Sequence, residues 1–192
     1  MAKAKLISGL DAQASTGVNA RLIAKSRLEE MYSWEASTSH PYNVQGLHNL
    51  RIAAKRLRYT LELFRDALPQ ECGPMIKEVE QIQEELGTLH DLDVMIALLR
   101  LRLGCLDSGT GYESALIKAR QKKGRFLLSP DLVAHLLEPT LSPSLEQRQG
   151  LEQLLSHLQA RRAEQFTTFC QHWSQLQTQH FKDDMLHHLE VL

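Results

Sequence analysis

The sequence predicts an all-α fold: an antiparallel bundle, or bundles, of long helices. Three observations predict it. No stretch alternates apolar and polar residues as a half-buried strand would. All six prolines (Pro41, Pro69, Pro74, Pro130, Pro139, Pro143) fall at breaks between segments. The segments themselves are rich in Leu, Glu, Gln, Arg, Lys and Ala, which are good helix formers. At 192 residues the chain suits a single domain spanning 1–192, long enough to bury a sizeable core.

In chain order, a first helix is expected over about Val18 to Ser33 and a loop over Ala36–His40. A second helix runs from about Val44 to Leu68. A third starts after Pro74, where a first-turn proline loses no hydrogen bond, and continues to about Leu103. Asp107–Gly111 (DSGTG) reads as a loop, followed by a helix from Tyr112 to about Leu127. A short helix follows Ser129-Pro130, with Ser129 as N-cap. Beyond Pro143, nearly fifty residues hold one glycine and no proline. They form one very long helix or two joined near Thr178.

No apolar run approaches the roughly 20 residues a membrane span needs, and MAKAKLISGL lacks the core of a secretory signal. Three scattered cysteines (Cys72, Cys105, Cys170), with no CxxC, point to reduced thiols and a cytoplasmic location. For Cys105 and Cys170 packing is the favoured role. The formal net charge is −1, but the charge is segregated. Gln45 to Arg65 carries five Arg/Lys against one Glu, and Tyr112 to Arg125 again five against one. Glu71 to Asp93 carries seven Asp/Glu against one Lys. A near-neutral molecule patterned this way can still offer one face to a partner of one sign.

The sharpest basic segment is HNLRIAAKRLRYTLELF, His48 to Phe64. At 100° per residue, Leu50, Ala53, Leu57, Leu61 and Phe64 fall on one side and make the buried stripe. His48, Arg51, Lys55 and Tyr59 follow the other side, with Arg58 on one edge of the row and Arg56 on the other. The row is roughly 16 Å long at 1.5 Å per residue. Like charges three or four residues apart repel, and along the helix only Glu62 relieves them. A solvated face would mix signs and favour Lys. Arg, His and Tyr in register instead make an anion-binding set, and phosphate suits the planar guanidinium fork best. A bound phosphate would also favour protonated His48.

HxxRIAAKRLRYTLELF followed by ELGTLHDLDVMIALL (Glu85 to Leu99) resembles the CHAD family, the conserved histidine α-helical domain. The first motif supplies the family's histidine and basic helix. The second matches its LGxxxDxDV pattern through Leu86, Gly87, Asp91, Asp93 and Val94. The resemblance implies two pseudo-symmetric helical bundles around a basic groove. It also implies non-catalytic binding of inorganic polyphosphate, without cofactor or metal, and a place at polyphosphate granules. Carried over residue by residue, His48, Arg51, Lys55, Arg56, Arg58 and Tyr59 match the family's basic helix. This chain carries one full copy of that motif. Further basic residues are expected to complete the groove: Lys118, Lys122 and Arg125 on one helical face, Arg21 and Lys25 four apart, and Arg161 with Arg162.

Asp91 and Asp93 are read as supports that pair with arginines of the basic helix and fix their rotamers. A metal or acid–base role is the less favoured reading. Two alternative functions remain in view. An all-helical HD-type phosphohydrolase would use His48, His90, Asp91 and Asp183 or Asp184 as metal ligands, but Arg51 and Lys55 beside the metal argue against it. Nucleic-acid binding would use the same row, but the chain is not basic overall and shows no stacking aromatics. The C-terminal His180, Asp184, His187 and His188 are read as a polar helix face rather than a zinc site.

Overall fold

The computed structural model describes residues 6–104 and 143–190, and every regular element in them is helical. Helix α1 covers Thr16–Tyr32, α2 Val44–Leu63, α3 Cys72–Arg102, α4 Leu145–Thr178 and α5 Phe181–Glu190. Short 3-10 turns occupy Glu35–Ser39 and Arg65–Ala67. The helix expected over Tyr112 to Leu127, the short one after Ser129-Pro130, and the DSGTG loop lie outside the described residues, as does Cys105.

Helix starts follow from local chemistry. Ser15 Oγ accepts a hydrogen bond from the Val18 amide at 3.3 Å and caps α1. Asn43 Oδ1 accepts from the Gly46 amide at 3.0 Å and caps α2. Gly46 leaves room for this cap, because a Cβ would lie 2.3 Å from Ser37 Oγ and 2.5 Å from Asn43 Nδ2 and would displace those side chains. Ser144 and Gln147 form a reciprocal capping box at the start of α4. The serine Oγ accepts from the Gln147 amide at 3.2 Å, and the Ser144 amide donates to Gln147 Oε1 at 3.0 Å.

Three sequence expectations shift. The Ala36–His40 loop is instead part of a 3-10 turn, Glu35–Ser39. Helix α2 ends at Leu63 rather than Leu68, and the chain tightens into the turn at Arg65–Ala67 before Pro69. Phe64, placed on the buried stripe, is the half-buried cap residue instead. Of the two alternatives for the C-terminal region, the two-helix one is observed. The break falls at His180, whose φ of 55° is left-handed and ends the α-helical path.

The described residues divide into two compact units: Met1–Thr88 with Phe166–Leu192, and Leu89–Gln165. The first holds the basic helix, and its core is made by facing stripes. Ala20, Ala24, Leu28 and Met31 of α1 are fully buried, as are Leu50, Ala53, Leu57 and Leu61 of α2. From α3 come Val79, Ile82 and Leu86, from α4 Phe169, Trp173 and Leu176, and from α5 Phe181, Met185 and Leu189. Trp173 stands at the aromatic centre, 5.3 Å from Tyr32 and 6.0 Å from Phe169 between ring centroids. Cys72 is buried, and half-buried Cys170 donates its thiol to the Thr38 carbonyl at 3.4 Å.

Candidate anion-binding site on helix α2

Helix α2 is flanked by α1 and α3, and each neighbour claims one edge of its basic row. On the α1 side Arg56 pairs with Glu30, which also accepts from Arg27 at 2.7 Å. Glu30 is buried at 6 % exposure, so this carboxylate between two guanidinium groups ties α2 to α1. On the α3 side Arg58 pairs with Glu62 at 2.7 Å and with Glu80 of α3 at 2.6 Å.

Two contacts fix how α2 and α3 run past each other. Arg58 meets Glu80, and seven residues earlier on α2 Arg51 meets Gly87, seven residues later on α3. The helices are therefore antiparallel, with a glycine opposite one arginine and a carboxylate opposite the other. A Cβ built at Gly87 would lie 3.7 Å from Arg51 Nε. That Nε is buried, and among the described residues no group accepts a hydrogen bond from it. Lys55, one turn on, is exposed, and its ammonium sits 5.4 Å from the Tyr59 ring centroid. Tyr59 itself is 53 % exposed. No carboxylate among the described residues pairs with Arg51 or Lys55. His48 is half-buried, and burial together with the Arg51 cation pushes its pKa below the ordinary imidazole value. The middle of the row, half-buried Arg51 with exposed Lys55 and Tyr59, therefore carries positive charge that no described carboxylate pairs with, while its two edges are bound to acidic neighbours.

The acidic segment on α3 explains this division. Glu80 goes to Arg58, whereas Glu78 and Glu85, two turns apart on another face, go to His172 of α4. His172 is bracketed by Glu85 at 2.9 Å and Glu78 at 3.2 Å. Burial works to lower its pKa, but the two carboxylates outweigh burial and the net direction is upward. A raised folded-state pKa stabilises the fold below the unfolded value near 6.5, and that contribution is lost as pH rises through the folded value. His48 acts in the opposite sense, so the His172 contribution is read as a difference between proteins. His172→Gln is expected to lower the melting temperature more at pH 6 than at pH 9, measured by circular dichroism.

Asp93 departs from the expectation that it would pair with the basic helix. Its partner is Arg162 of α4, at 2.9 Å, with side chains 10 % and 8 % exposed. The reason is angular: on the α3 wheel Asp93 falls nearer the Glu78/Glu85 row than the Glu80/Gly87 row. Burial raises its carboxyl pKa, and the Arg162 cation offsets this only in part. Arg162 is thus a buried partner rather than an exposed contact, while Arg161 beside it is exposed. Asp91 is exposed and has no partner among the described residues, so it does not anchor an arginine.

Of the other basic residues, Lys25 pairs with Glu190 of α5. Arg21 has a buried Nε with no partner among the described residues. Lys118, Lys122 and Arg125 lie outside the described residues. The histidine and aspartates of the HD alternative are not gathered. His90 is buried and Asp91 exposed, Asp183 and Asp184 are exposed on α5, and no described group of three or more His, Cys, Asp or Glu could hold a metal. His180, Asp184, His187 and His188 form no such group either. No described helix is long and apolar enough to cross a membrane.

The fold and this site define a class: an all-α protein presenting an open cationic helix row, braced on both sides by acidic neighbours. The CHAD-domain family model matches residues 6–100, a span that contains both motifs. Over that span the chain carries a CHAD domain. Comparison with curated proteins and with solved structures gave no match.

Proposed function

We propose that the protein binds inorganic polyphosphate, without catalysis, along the outward row of α2. The observation that supports this most is the sorting of the cations. Arg56 and Arg58 are held by carboxylates, whereas Arg51 and Lys55 have no described anionic partner. Uncompensated like charges a turn apart destabilise a helix unless an anion meets them. A linear polyphosphate supplies anionic groups in a row, and the straight helix supplies cations in a row. Arg51 offers its fork, Lys55 a mobile ammonium, Tyr59 a hydroxyl, and His48 a ring whose protonation a nearby phosphate would favour. Arg56 and Arg58 strengthen the local field while positioning the helix. The domain match supports the same reading, because CHAD domains are associated with binding rather than catalysis. The cytoplasm, at polyphosphate granules, is the compartment this function implies.

Binding of this kind depends on counterion release, so affinity should fall steeply with salt. The nucleic-acid slope of about −0.9 per neutralised phosphate is a loose guide. Isothermal calorimetry with long-chain polyphosphate at two salt concentrations tests this. Lys55→Glu should weaken binding at least tenfold, and the exposed Lys77→Glu on α3 by less than threefold. Equal losses would show that the row is not the site. Equal affinity for DNA would point to a generic polyanion binder, and metal-dependent phosphate release would point to a hydrolase.

A further inference from the structure

We infer that Gly87 is a positioning residue for the anion site: its missing side chain makes the slot in which the Arg51 guanidinium is set. The inference rests on the polyphosphate reading for its binding arm, but the geometry stands independently. Gly87 lies in the interior of α3, where glycine is a poor helix former and some other demand must favour it. Its φ is not left-handed, so backbone conformation makes no such demand. What the site lacks is bulk. The only atom within 4 Å of a Cβ built there, outside the local helix, is Arg51 Nε, at 3.7 Å. Ordinary contact at that distance admits one methyl. Any atom beyond the methyl would compete with the guanidinium for space.

The consequence for Arg51 is specific. Its Nε is buried beside Gly87, and no described carboxylate or carbonyl accepts from it. Burial of Nε beside Gly87, rather than a hydrogen bond to Nε, is therefore what locates this arginine. Arg58 is the contrast. It is gripped by Glu80 one register step away, so it needs no slot and its fork is already engaged. Placing glycine rather than glutamate opposite Arg51 leaves that arginine both located and available.

The test uses the full chain with Gly87→Ala, Gly87→Leu and Gly87→Gln, each alone and with Arg51→Ala. Circular dichroism melts should show all three single variants folded, with Gly87→Ala at or above the wild-type melting temperature. Calorimetry with long-chain polyphosphate should show Gly87→Ala within twofold of wild type. Gly87→Leu and Gly87→Gln should bind at least tenfold more weakly, and neither should weaken Arg51→Ala further. Wild-type affinity in both long-side-chain variants, or an equal added loss on the Arg51→Ala background, would overturn the inference. A second readout needs no ligand: the Arg51 Nε–H resonance, assigned by its loss in Arg51→Ala. It should exchange slowly in wild type and Gly87→Ala, and fast in Gly87→Leu. Unchanged exchange in Gly87→Leu would overturn the slot even if polyphosphate proves not to be the ligand. Failure of wild type to bind polyphosphate would overturn the proposed function alone.

Discussion

Arg51→Glu is expected to weaken polyphosphate binding by about 100-fold or more, the largest effect of any single change on the row. A charged hydrogen bond is worth roughly 1.5–3 kcal/mol, and each 1.4 kcal/mol is a factor of ten. Reversal adds repulsion to that loss. The same change should leave the melting temperature within a few degrees of wild type, because Arg51 has no described protein partner to lose. Arg58→Ala is the matched control. It breaks pairs with Glu62 and Glu80 at a partly exposed site, where each ion pair contributes about 0–1 kcal/mol. Its effect on binding should be several-fold smaller. Calorimetry and thermal melts on the three proteins decide the matter: equal binding losses in Arg51→Glu and Arg58→Ala would reject the division of labour along α2.

The largest expected effect on stability is at Glu30. This buried carboxylate lies between Arg27 and Arg56, and its removal withdraws the shared counter-charge from both. Breaking a buried pair by deleting one partner costs about 3–5 kcal/mol. Glu30→Ala should therefore lower stability by about 3 kcal/mol in urea denaturation. A double-mutant cycle with Arg56→Ala should show coupling of at least about 1 kcal/mol. Additive losses would mean that the ion pair contributes nothing of its own. Polyphosphate binding by the folded fraction of Glu30→Ala should persist, because the outward residues do not depend on Glu30 for charge.

The helical class was legible in the sequence because prolines and helix formers are local signals. So was the face of α2 that is buried: Leu50, Ala53, Leu57 and Leu61 followed from periodicity alone. The end of that helix was not, since Phe64 and Leu68 fit the stripe while the turn at Arg65–Ala67 and the following Pro69 decide where it stops. The break at His180 carries no glycine or proline signal, which is why one helix or two remained open. Within the site, the charge row could be read from one helix, but the pairing of each cation could not. Glu30 for Arg56, Glu80 for Arg58 and Arg162 for Asp93 are all contributed by other helices. Sequence supplies wheel positions, whereas partner choice depends on the register between helices. The antiparallel run of α2 and α3 was legible from the short turn that joins them, whereas the register that sets Gly87 opposite Arg51 and Glu80 opposite Arg58 was not.

The unit that bears the basic row is discontinuous in the chain, closing on Phe169, Trp173 and Met185. Those residues lie well past residue 100, where the family match ends. During synthesis, α1, α2 and the first half of α3 leave the ribosome long before the side chains that seal their core. In that interval the stripes of α1 and α2 lack the α4 and α5 side chains that complete their core, although Glu30, Glu62 and Glu80 are already present to meet Arg56 and Arg58. Closure of this core therefore waits for α4 and α5, and a fragment cut at residue 100 should melt less cooperatively than the whole chain.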